Sequence, residues 1–196
     1  IQQDNAQEYL EKIYLGEDID ALEQPENILN PLNIFQSDIP VFDMLQDFTV
    51  IDQVQRIEEY KPSVFGLLEI PEINVNQYVV SGTDDLSLQF GPGYYLGTNL
   101  PGSGGNVGIA GHRTTYGAPF SQLDLVEIGD EILLTVGSNK YHYKVDEVEI
   151  VDAVSGSYVL YNRGDDRITL TTCHPKYSAR QRLVVSGILY RIESGN

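Results

Sequence analysis

From about Lys61 to the end of the 196-residue chain, the sequence consists of a series of short β-rich segments. The segments are rich in Val, Ile, Leu and Tyr, and Gly, Pro or Asn residues separate them. Residues 63–82 predict two strands that break at Pro71, and five more strands are predicted at residues 105–112, 131–136, 140–152, 167–173 and 182–192. This spacing favours a closed or sandwiched β structure over alternating βαβ units.

Helical periodicity is concentrated in the first sixty residues. Residues 8–15 predict an amphipathic helix, and residues 42–57 predict a second one. Residues 26–40 contain prolines and several Asn and Ser residues, which is typical of an irregular connection. In the β-rich part, only residues 84–91 and 118–124 predict short helices. The predicted fold class is therefore all-β, with one or two short helices and a mainly helical or irregular N-terminal extension.

Charge divides the chain at the same place. Residues 1–60 hold 14 acidic side chains against two basic ones, a net of −12, and residues 61–196 hold 15 against 10, a net of −5, which together make the formal charge of −17. We therefore expect an acidic N-terminal extension over residues 1–60 and a β-rich domain over residues 61–196. A chain of this charge lacks the clustered Lys and Arg that phosphate binding requires, so a nucleic-acid partner is not expected.

The cysteine and histidine content argues against a disulfide bond and against a structural zinc site. Cys173 is the only cysteine, so no disulfide can form within the chain. The three histidines lack the paired spacing of a zinc site. A glycine-rich stretch in mid-chain lacks the Gly-Lys-Ser/Thr ending of a phosphate loop and leads into a strand, so it does not predict nucleotide binding.

Three chemically active side chains fall at predicted strand ends. Alternation along residues 167–173 places Cys173 at the end of a strand, and Pro175 terminates that strand just beyond it. The next predicted strand begins at Arg182, and an antiparallel return brings this arginine beside Cys173. His112 ends a strand of its own. The pattern therefore permits all three side chains to meet at one edge.

Such a group of side chains has a clear chemical use. A free thiol is only slightly ionised near neutral pH, and an adjacent imidazolium or guanidinium favours the reactive thiolate. A fixed donor such as Arg182 also stabilises negative charge on a carbonyl under attack, by on the order of 3 kcal/mol. Each residue has a structural alternative as well: Cys173 as a small buried apolar group, His112 as a core histidine, and Arg182 as a surface ion-pair partner. Residue type and spacing leave both interpretations open.

Longer motifs around these residues resemble the sortases, the cysteine transpeptidases of bacterial cell surfaces. The resemblance covers about residues 63–191 and includes GLLEIPEINVNQYVV, GPGYYLGTNLPGSGGN, NVGIAGHRTTYGAPF, LDLVEIGDEI, and TLTTC followed by Arg182 nine residues later. Within the family, GHRTTYGAPF and TTCHPKYSARQRLVV are most similar to class E, with class D next. The resemblance implies a closed eight-stranded sortase-type β-barrel.

The resemblance also implies roles for individual residues. Cys173 matches the family's nucleophile, His112 its histidine and Arg182 its arginine. Thr172 matches a threonine that assists the oxyanion or positions the substrate. Tyr116, in the loop after His112, is a candidate for substrate binding.

The implied reaction is cleavage of the Thr-Gly bond of a C-terminal sorting signal, of the LPxTG type or the LAxTG type of class E. Cys173 forms a thioacyl intermediate, and an amine then accepts the acyl group, which anchors the surface protein to the cell wall. The implied partners are surface proteins that carry such a signal and an amine acceptor, either a cell-wall precursor or a pilin lysine. Two alternatives remain: a pilus-assembling sortase with a regulatory N-terminal lid, and an inactive sortase-like surface-binding module.

The resemblance places the protein at the extracytoplasmic surface of a bacterial plasma membrane. No apolar run of 18 residues occurs, so we expect the transmembrane anchor to be absent from this chain. Residues 1–60 lie outside the resemblance, and a spacer, a wrap around the barrel and a lid are all open interpretations.

Some sortases respond to calcium, which binds to oxygen ligands such as carboxylates. Two acidic pairs, Asp84/Asp85 and Asp165/Asp166, offer oxygen atoms, but the chain contains no twelve-residue calcium loop. We therefore expect a solvated acidic surface, and no metal or other cofactor.

Overall fold

The computed structural model describes residues 2–17 and 60–195, and its main feature is a closed barrel of eight β-strands. The strands are β1 (Val64–Ile70), β2 (Val75–Ser81), β3 (Gly93–Tyr94), β4 (Asn106–Ala110), β5 (Glu131–Val136), β6 (Asn139–Asp152), β7 (Arg167–His174) and β8 (Gln181–Ser194). Their order around the barrel is β1-β2-β3-β4-β7-β8-β6-β5, and β5 pairs with β1 to close it. The prediction of an eight-stranded barrel is confirmed.

Strand directions in the barrel are mixed. β2 pairs with β3 and β4 pairs with β7 in parallel, whereas the other pairs are antiparallel. The segments predicted as strands all form strands, and Pro71 separates β1 from β2 within a 3-10 helix, η1 (Pro71–Ile73). β3 was not predicted, because a two-residue strand is too short to show alternation.

Alternation along the strands separates the barrel interior from its outer face. On β7, Ile168 and Leu170 are fully buried in the main core, where they join Leu68 and Ile70 of β1. Each buried aliphatic side chain of this kind contributes roughly 1.5–3 kcal/mol relative to exposure. Successive strand residues point to opposite faces, so Cys173 shares the outer face of the barrel with the odd-numbered residues of β7.

Residues of the N-terminal extension pack directly on the barrel. The helix α1 (Gln2–Tyr14) starts earlier than the predicted residues 8–15, and it buries the predicted apolar positions Tyr9 and Leu10. These side chains form a second apolar cluster with Val80 of β2 and Phe90 of the short helix α2 (Ser87–Phe90). The extension therefore contributes part of its buried surface to the barrel domain.

Gln7 joins α1 to the barrel where β3 is short. Its side-chain oxygen accepts a hydrogen bond from the Tyr78 amide, and its nitrogen donates to the carbonyls of Tyr78 and Phe90 at 3.4 and 3.2 Å. The β2–β3 pairing covers only Val80 and Ser81. The Gln7 amide thus supplies the backbone partners that a longer β3 would have given Tyr78.

The connection between β6 and β7 contains a 3-10 helix, η3 (Gly156–Leu160), which covers the middle of the outer face of β7. Asn106 donates to the Val159 carbonyl at 2.8 Å, and Thr169 donates to the Asn106 side chain at 2.9 Å and contacts the Ser186 hydroxyl at 3.1 Å. Leaving a buried polar group unpaired costs about 1–3 kcal/mol, so this network holds η3 in place. Cys173, beyond the covered part of β7, remains partly exposed.

Other predicted elements have different outcomes. α2 lies within the predicted residues 84–91, whereas the helix predicted at residues 118–124 is replaced by a 3-10 turn, η2 (Leu123–Leu125). The second predicted N-terminal helix at residues 42–57 and the connection at residues 26–40 lie outside the described residues. Within the described part of the chain, no helix combines the length and apolarity needed to cross a membrane. The division of the chain at residue 60 stays a prediction.

Candidate active site

Cys173 and Arg182 are opposite each other in the β7–β8 ladder. The antiparallel register pairs Cys173 with Arg182 and Thr171 with Val184. Residues directly opposite in such a ladder have Cβ atoms about 4.5–5.5 Å apart and point to the same face of the sheet. Cys173 is a free, partly exposed thiol. The turn after β7 therefore returns the chain in the register that places Arg182 opposite Cys173.

The third side chain, His112, follows the end of β4. The parallel ladder between β4 and β7 pairs Ala110 with Thr171, and the Gly111 amide extends it by donating to the Thr171 carbonyl at 3.1 Å. His112 follows Gly111 directly, so it lies just beyond the end of this ladder, as Cys173 lies two residues beyond Thr171. The barrel thus brings the three predicted residues to one edge, from the ends of β4 and β7 and the start of β8.

The His112 ring lies in a partly buried environment. Burial lowers its pKa, because it disfavours the charged imidazolium, and the carboxylate of Asp85 opposes this effect. The Nε2 atom is buried and has no hydrogen-bond partner within residues 2–17 and 60–195. The neutral imidazole is therefore favoured in the free protein, with one ring nitrogen uncommitted.

Tyr116 packs against the candidate histidine. Its ring centroid is 5.1 Å from that of His112, with an interplanar angle of 45°. The residue has a positive φ of 48°, a backbone conformation that is uncommon for a side chain of this size. The loop after β4 thus holds the Tyr116 ring against His112, at the same edge as Cys173.

Thr172 lies on the opposite face of β7 from Cys173 and is almost fully buried, at 2% exposure. Its hydroxyl donates to the Gly111 carbonyl at 2.8 Å. This bond crosses from the residue before Cys173 to the residue before His112. The Thr172 hydroxyl is therefore bound to a backbone carbonyl next to His112, while Thr172 itself precedes Cys173.

The Arg182 guanidinium is held above the β7–β8 turn. Its Nη1 atom donates to the carbonyls of Ala179 and Gln181 at 2.9 and 3.0 Å. A guanidinium has five N–H donors in a rigid plane, and both of these bonds use one nitrogen. The bonds to the turn orient the group while Nε and Nη2 have no hydrogen-bond partner among the described residues.

Two residues near the site were missed in the sequence. Arg113 is 4% exposed, and its Nη1 atom lies 3.2 Å from the Cys173 carbonyl and 2.9 Å from Nδ1 of His174. Asp85 is the second: the sequence shows it only as one member of an acidic pair, whereas in the structure its charge acts on His112. The position of Arg113 directly after His112 was the only sequence signal for its contacts with β7.

Most carboxylates of the two acidic pairs are occupied by protein partners. Asp84 accepts hydrogen bonds from the amides of Leu86 and Ser87 at the start of α2. Asp165 pairs with Arg167 at 2.9 Å, and Asp166 accepts from the amides of Gly104 and Gly105. In the described part of the chain, no group of three or more His, Cys, Asp or Glu side chains is arranged to hold a metal ion. These carboxylates therefore serve turns and ion pairs.

Comparisons with known proteins identify the family to which the barrel domain is similar. The sortase domain model matches residues 68–189. Sortase D of Bacillus subtilis is 32% identical over 127 residues, which cover 63% of each chain. Sortase SrtE1 of Streptomyces coelicolor is 34% identical over 138 residues, which cover 63% of this chain and 39% of the relative. The matched part thus spans less than two thirds of the length of either relative.

Solved structures give the same result for the fold. Sortase E from Streptomyces avermitilis superposes with a TM-score of 0.62 at 30% sequence identity, and the match covers 69% of this chain and 93% of that one. The closed, mixed eight-stranded barrel is the fold that this chain shares with that structure. The chain belongs to the sortase family. The resemblance of its motifs to class D and class E members agrees with these relatives.

Proposed function

We propose that the chain cleaves a C-terminal sorting signal between Thr and Gly and transfers the acyl group to an amine. The observation that carries this proposal is the register that pairs Cys173 with Arg182 at the edge where His112 follows β4. A nucleophile, a proton carrier and a cationic donor at one edge are the parts that acyl transfer requires.

The first half of the reaction forms a thioester. Cys173 loses its proton to His112, and the thiolate sulfur attacks the carbonyl carbon of the substrate threonine. Arg182 stabilises the negative charge on the carbonyl oxygen or holds the substrate backbone. The C–N bond to glycine then breaks, and His112 returns the proton to the departing amine. The acyl group remains on Cys173.

The second half transfers the acyl group. An amine from a cell-wall precursor or a pilin lysine attacks the thioester carbonyl and gives its proton to His112. The C–S bond breaks, so Cys173 leaves as a thiolate and a new amide forms. The lowered pKa of His112 suits it to accept this proton, since its neutral form is favoured in the free protein.

Two supporting residues act at different points. Thr172 holds the Gly111 carbonyl and so positions the residue before His112, which is an indirect contribution to the oxyanion site. The Tyr116 ring lies against His112, and this contact supports a role in binding the residues next to the scissile bond. A choice of LAxTG over LPxTG rests on the class E resemblance, as does a location at the extracytoplasmic membrane surface.

The test measures peptide cleavage and its products in the presence and absence of an amine. We expect Cys173→Ala to abolish cleavage of LAxTG and LPxTG peptides. His112→Gln and Arg182→Gln should each lower kcat on the order of 10²-fold, as for loss of a general acid–base or an oxyanion donor. Arg163→Gln, which removes an exposed ion pair with Glu147, is the matched control and should retain activity. Full activity of Cys173→Ala would refute the proposal.

The same assay separates transpeptidation from hydrolysis. A transpeptidase diverts most of its acyl-enzyme to the amide when the amine is added, whereas a protease releases the free acid in both conditions. An inactive binding module would bind peptide without forming either product.

A further inference from the structure

Arg113, the residue after His112, is buried although arginine is usually exposed. Its side chain is only 3% exposed. Removing a guanidinium from water is costly unless hydrogen bonds and an opposite charge compensate. The contacts of Arg113 therefore have to account for its burial.

Those contacts connect three separate parts of the site. Nη1 donates to the Cys173 carbonyl at 3.2 Å and lies 2.9 Å from Nδ1 of His174. Nη2 forms an ion pair with Asp124, in η2, at 3.0 Å. One side chain from the end of β4 thus holds the main chain of the candidate nucleophile and the residue that follows it.

The contact with His174 also defines the state of that ring. A guanidinium carries only donors, so Nδ1 of His174 accepts the hydrogen bond, and the proton of the neutral imidazole lies on Nε2. His174 is next to the nucleophile in sequence, but its Nδ1 lone pair is committed to Arg113. The ring therefore serves as an acceptor that fixes the end of β7.

Asp124 anchors the other side of the guanidinium. Partial burial raises the pKa of Asp124, but a hydrogen bond from its own backbone amide and the charge of Arg113 outweigh this effect and hold it below the ordinary value. The carboxylate is therefore ionised near neutral pH, and the pair supplies the opposite charge that a buried guanidinium needs.

We propose that Arg113 is a positioning residue for acyl transfer, holding the Cys173 end of β7 against the His112 end of β4. The inference rests on the proposed function of Cys173 and His112. Arg113 does not itself act on the substrate, because its side chain is buried and both terminal nitrogens are bound to protein groups. It acts indirectly, by fixing the distance between Cys173, the nucleophile, and His112, the proton carrier.

Kinetics of Arg113→Gln and Arg113→Lys test this role. A misplacement of about 1 Å between reacting groups lowers rates on the order of 10²-fold, so we expect Arg113→Gln to lose kcat by that factor while KM changes little. Arg113→Lys keeps the charge but not the planar fork, and it should recover part of the loss. Arg163→Gln is the matched control for removal of a paired arginine. Kinetics of Arg113→Gln equal to those of Arg163→Gln would overturn the inference.

A second measurement does not depend on activity. Long-range ¹H–¹⁵N NMR spectra of the imidazole rings report which nitrogen carries the proton. In the wild-type protein near neutral pH, we expect His174 to have an unprotonated Nδ1, and in Arg113→Gln a mixture of the two tautomers. A protonated Nδ1 in the wild type would overturn the inference even if the enzyme is active.

A milder variant covers the case in which Arg113→Gln fails to fold. Asp124→Asn keeps the shape of the side chain that pairs with Arg113 and removes its charge, so kcat should fall several-fold. An unchanged kcat together with an unchanged His174 tautomer would count against the inference.

The proposed function and the positioning role of Arg113 fail in different ways. A wild-type protein that forms no acyl-enzyme refutes the proposed function, whereas an active wild type with insensitive Arg113 variants refutes only the positioning role.

Discussion

Replacing Thr172 with valine separates two roles for the residue before the nucleophile. Valine keeps the branched shape of threonine and removes only the hydroxyl. In the structure that hydroxyl is buried and donates to the Gly111 carbonyl at 2.8 Å. Losing the donor leaves a buried carbonyl unpaired, which costs about 1–3 kcal/mol. For a chain of this size, each kcal/mol lowers Tm by roughly 2–4 °C.

The assay combines thermal unfolding with steady-state kinetics. We expect Thr172→Val to lower Tm and to reduce kcat moderately, because Gly111 immediately precedes His112. Thr172→Ser, which retains the hydroxyl, should recover most of both. The half-buried Thr135 of β5 provides a matched control, and Thr135→Val should alter neither quantity appreciably.

A direct role of the Thr172 hydroxyl on the substrate gives a different result. Removing one donor to an oxyanion lowers kcat on the order of 10²–10³-fold and need not change stability. An unchanged Tm with a loss of that size in Thr172→Val would refute the positioning role assigned to this residue.

Further predictions concern electrostatics and the N-terminal helix. Asp85→Asn should lower the pKa of His112 further, because the carboxylate favours the imidazolium, and ring-proton NMR titration of both proteins checks this; an unchanged or higher pKa would contradict it. Burial lowers the pKa of His112 in the folded protein below the value of about 6.5 that it has in the unfolded chain. Between these two pKa values the unfolded chain binds more protons than the folded protein does. The contribution of His112 to stability is therefore present above about pH 6.5 and is lost as pH falls through the folded pKa. Denaturant unfolding of the wild type and His112→Asn across this range should show the difference. Gln7→Ala should lower the free energy of unfolding by about 1 kcal/mol, since it removes the partners of the Tyr78 backbone; an unchanged denaturation midpoint would contradict this.

The strands, and the barrel edge that carries Cys173 and Arg182, could be predicted from the sequence because strand alternation and turn residues are local signals. β7 ends close to Pro175, and the return to β8 follows from the short polar turn between them. The Cys173–Arg182 pairing needs only this hairpin and its register. Elements of this kind depend on residues that are near one another in the chain, so single-sequence patterns predict them.

Other features depend on contacts between distant segments and left little local signal. β3 has two residues, and its place is set by pairing with β2 and β4. Gln7 reaches Tyr78 across 71 positions, and Arg113 reaches Cys173 across 60. The sequence shows a glutamine in a helix and an arginine in a loop, and only the closed barrel gives each one its partners.

The N-terminal extension illustrates the same limit. Its composition indicates a charged, solvated segment, yet α1 buries Ala6, Tyr9 and Leu10 against the barrel. Net charge describes the whole extension, whereas docking depends on one apolar face of one helix. Most of residues 1–60 lie outside the described residues, so the spacer, wrap and lid interpretations of this extension stay predictions.

Acylation by a substrate peptide tests directly whether Cys173 is the nucleophile. The protein is mixed with LAxTG and LPxTG peptides, and intact mass spectrometry followed by peptide mapping locates any adduct. We expect a mass increase equal to the peptide fragment that ends at threonine, located on Cys173, absent in Cys173→Ala and discharged by an added amine. An adduct on another residue, or peptide cleavage by Cys173→Ala, would contradict the assignment of Cys173 as the nucleophile.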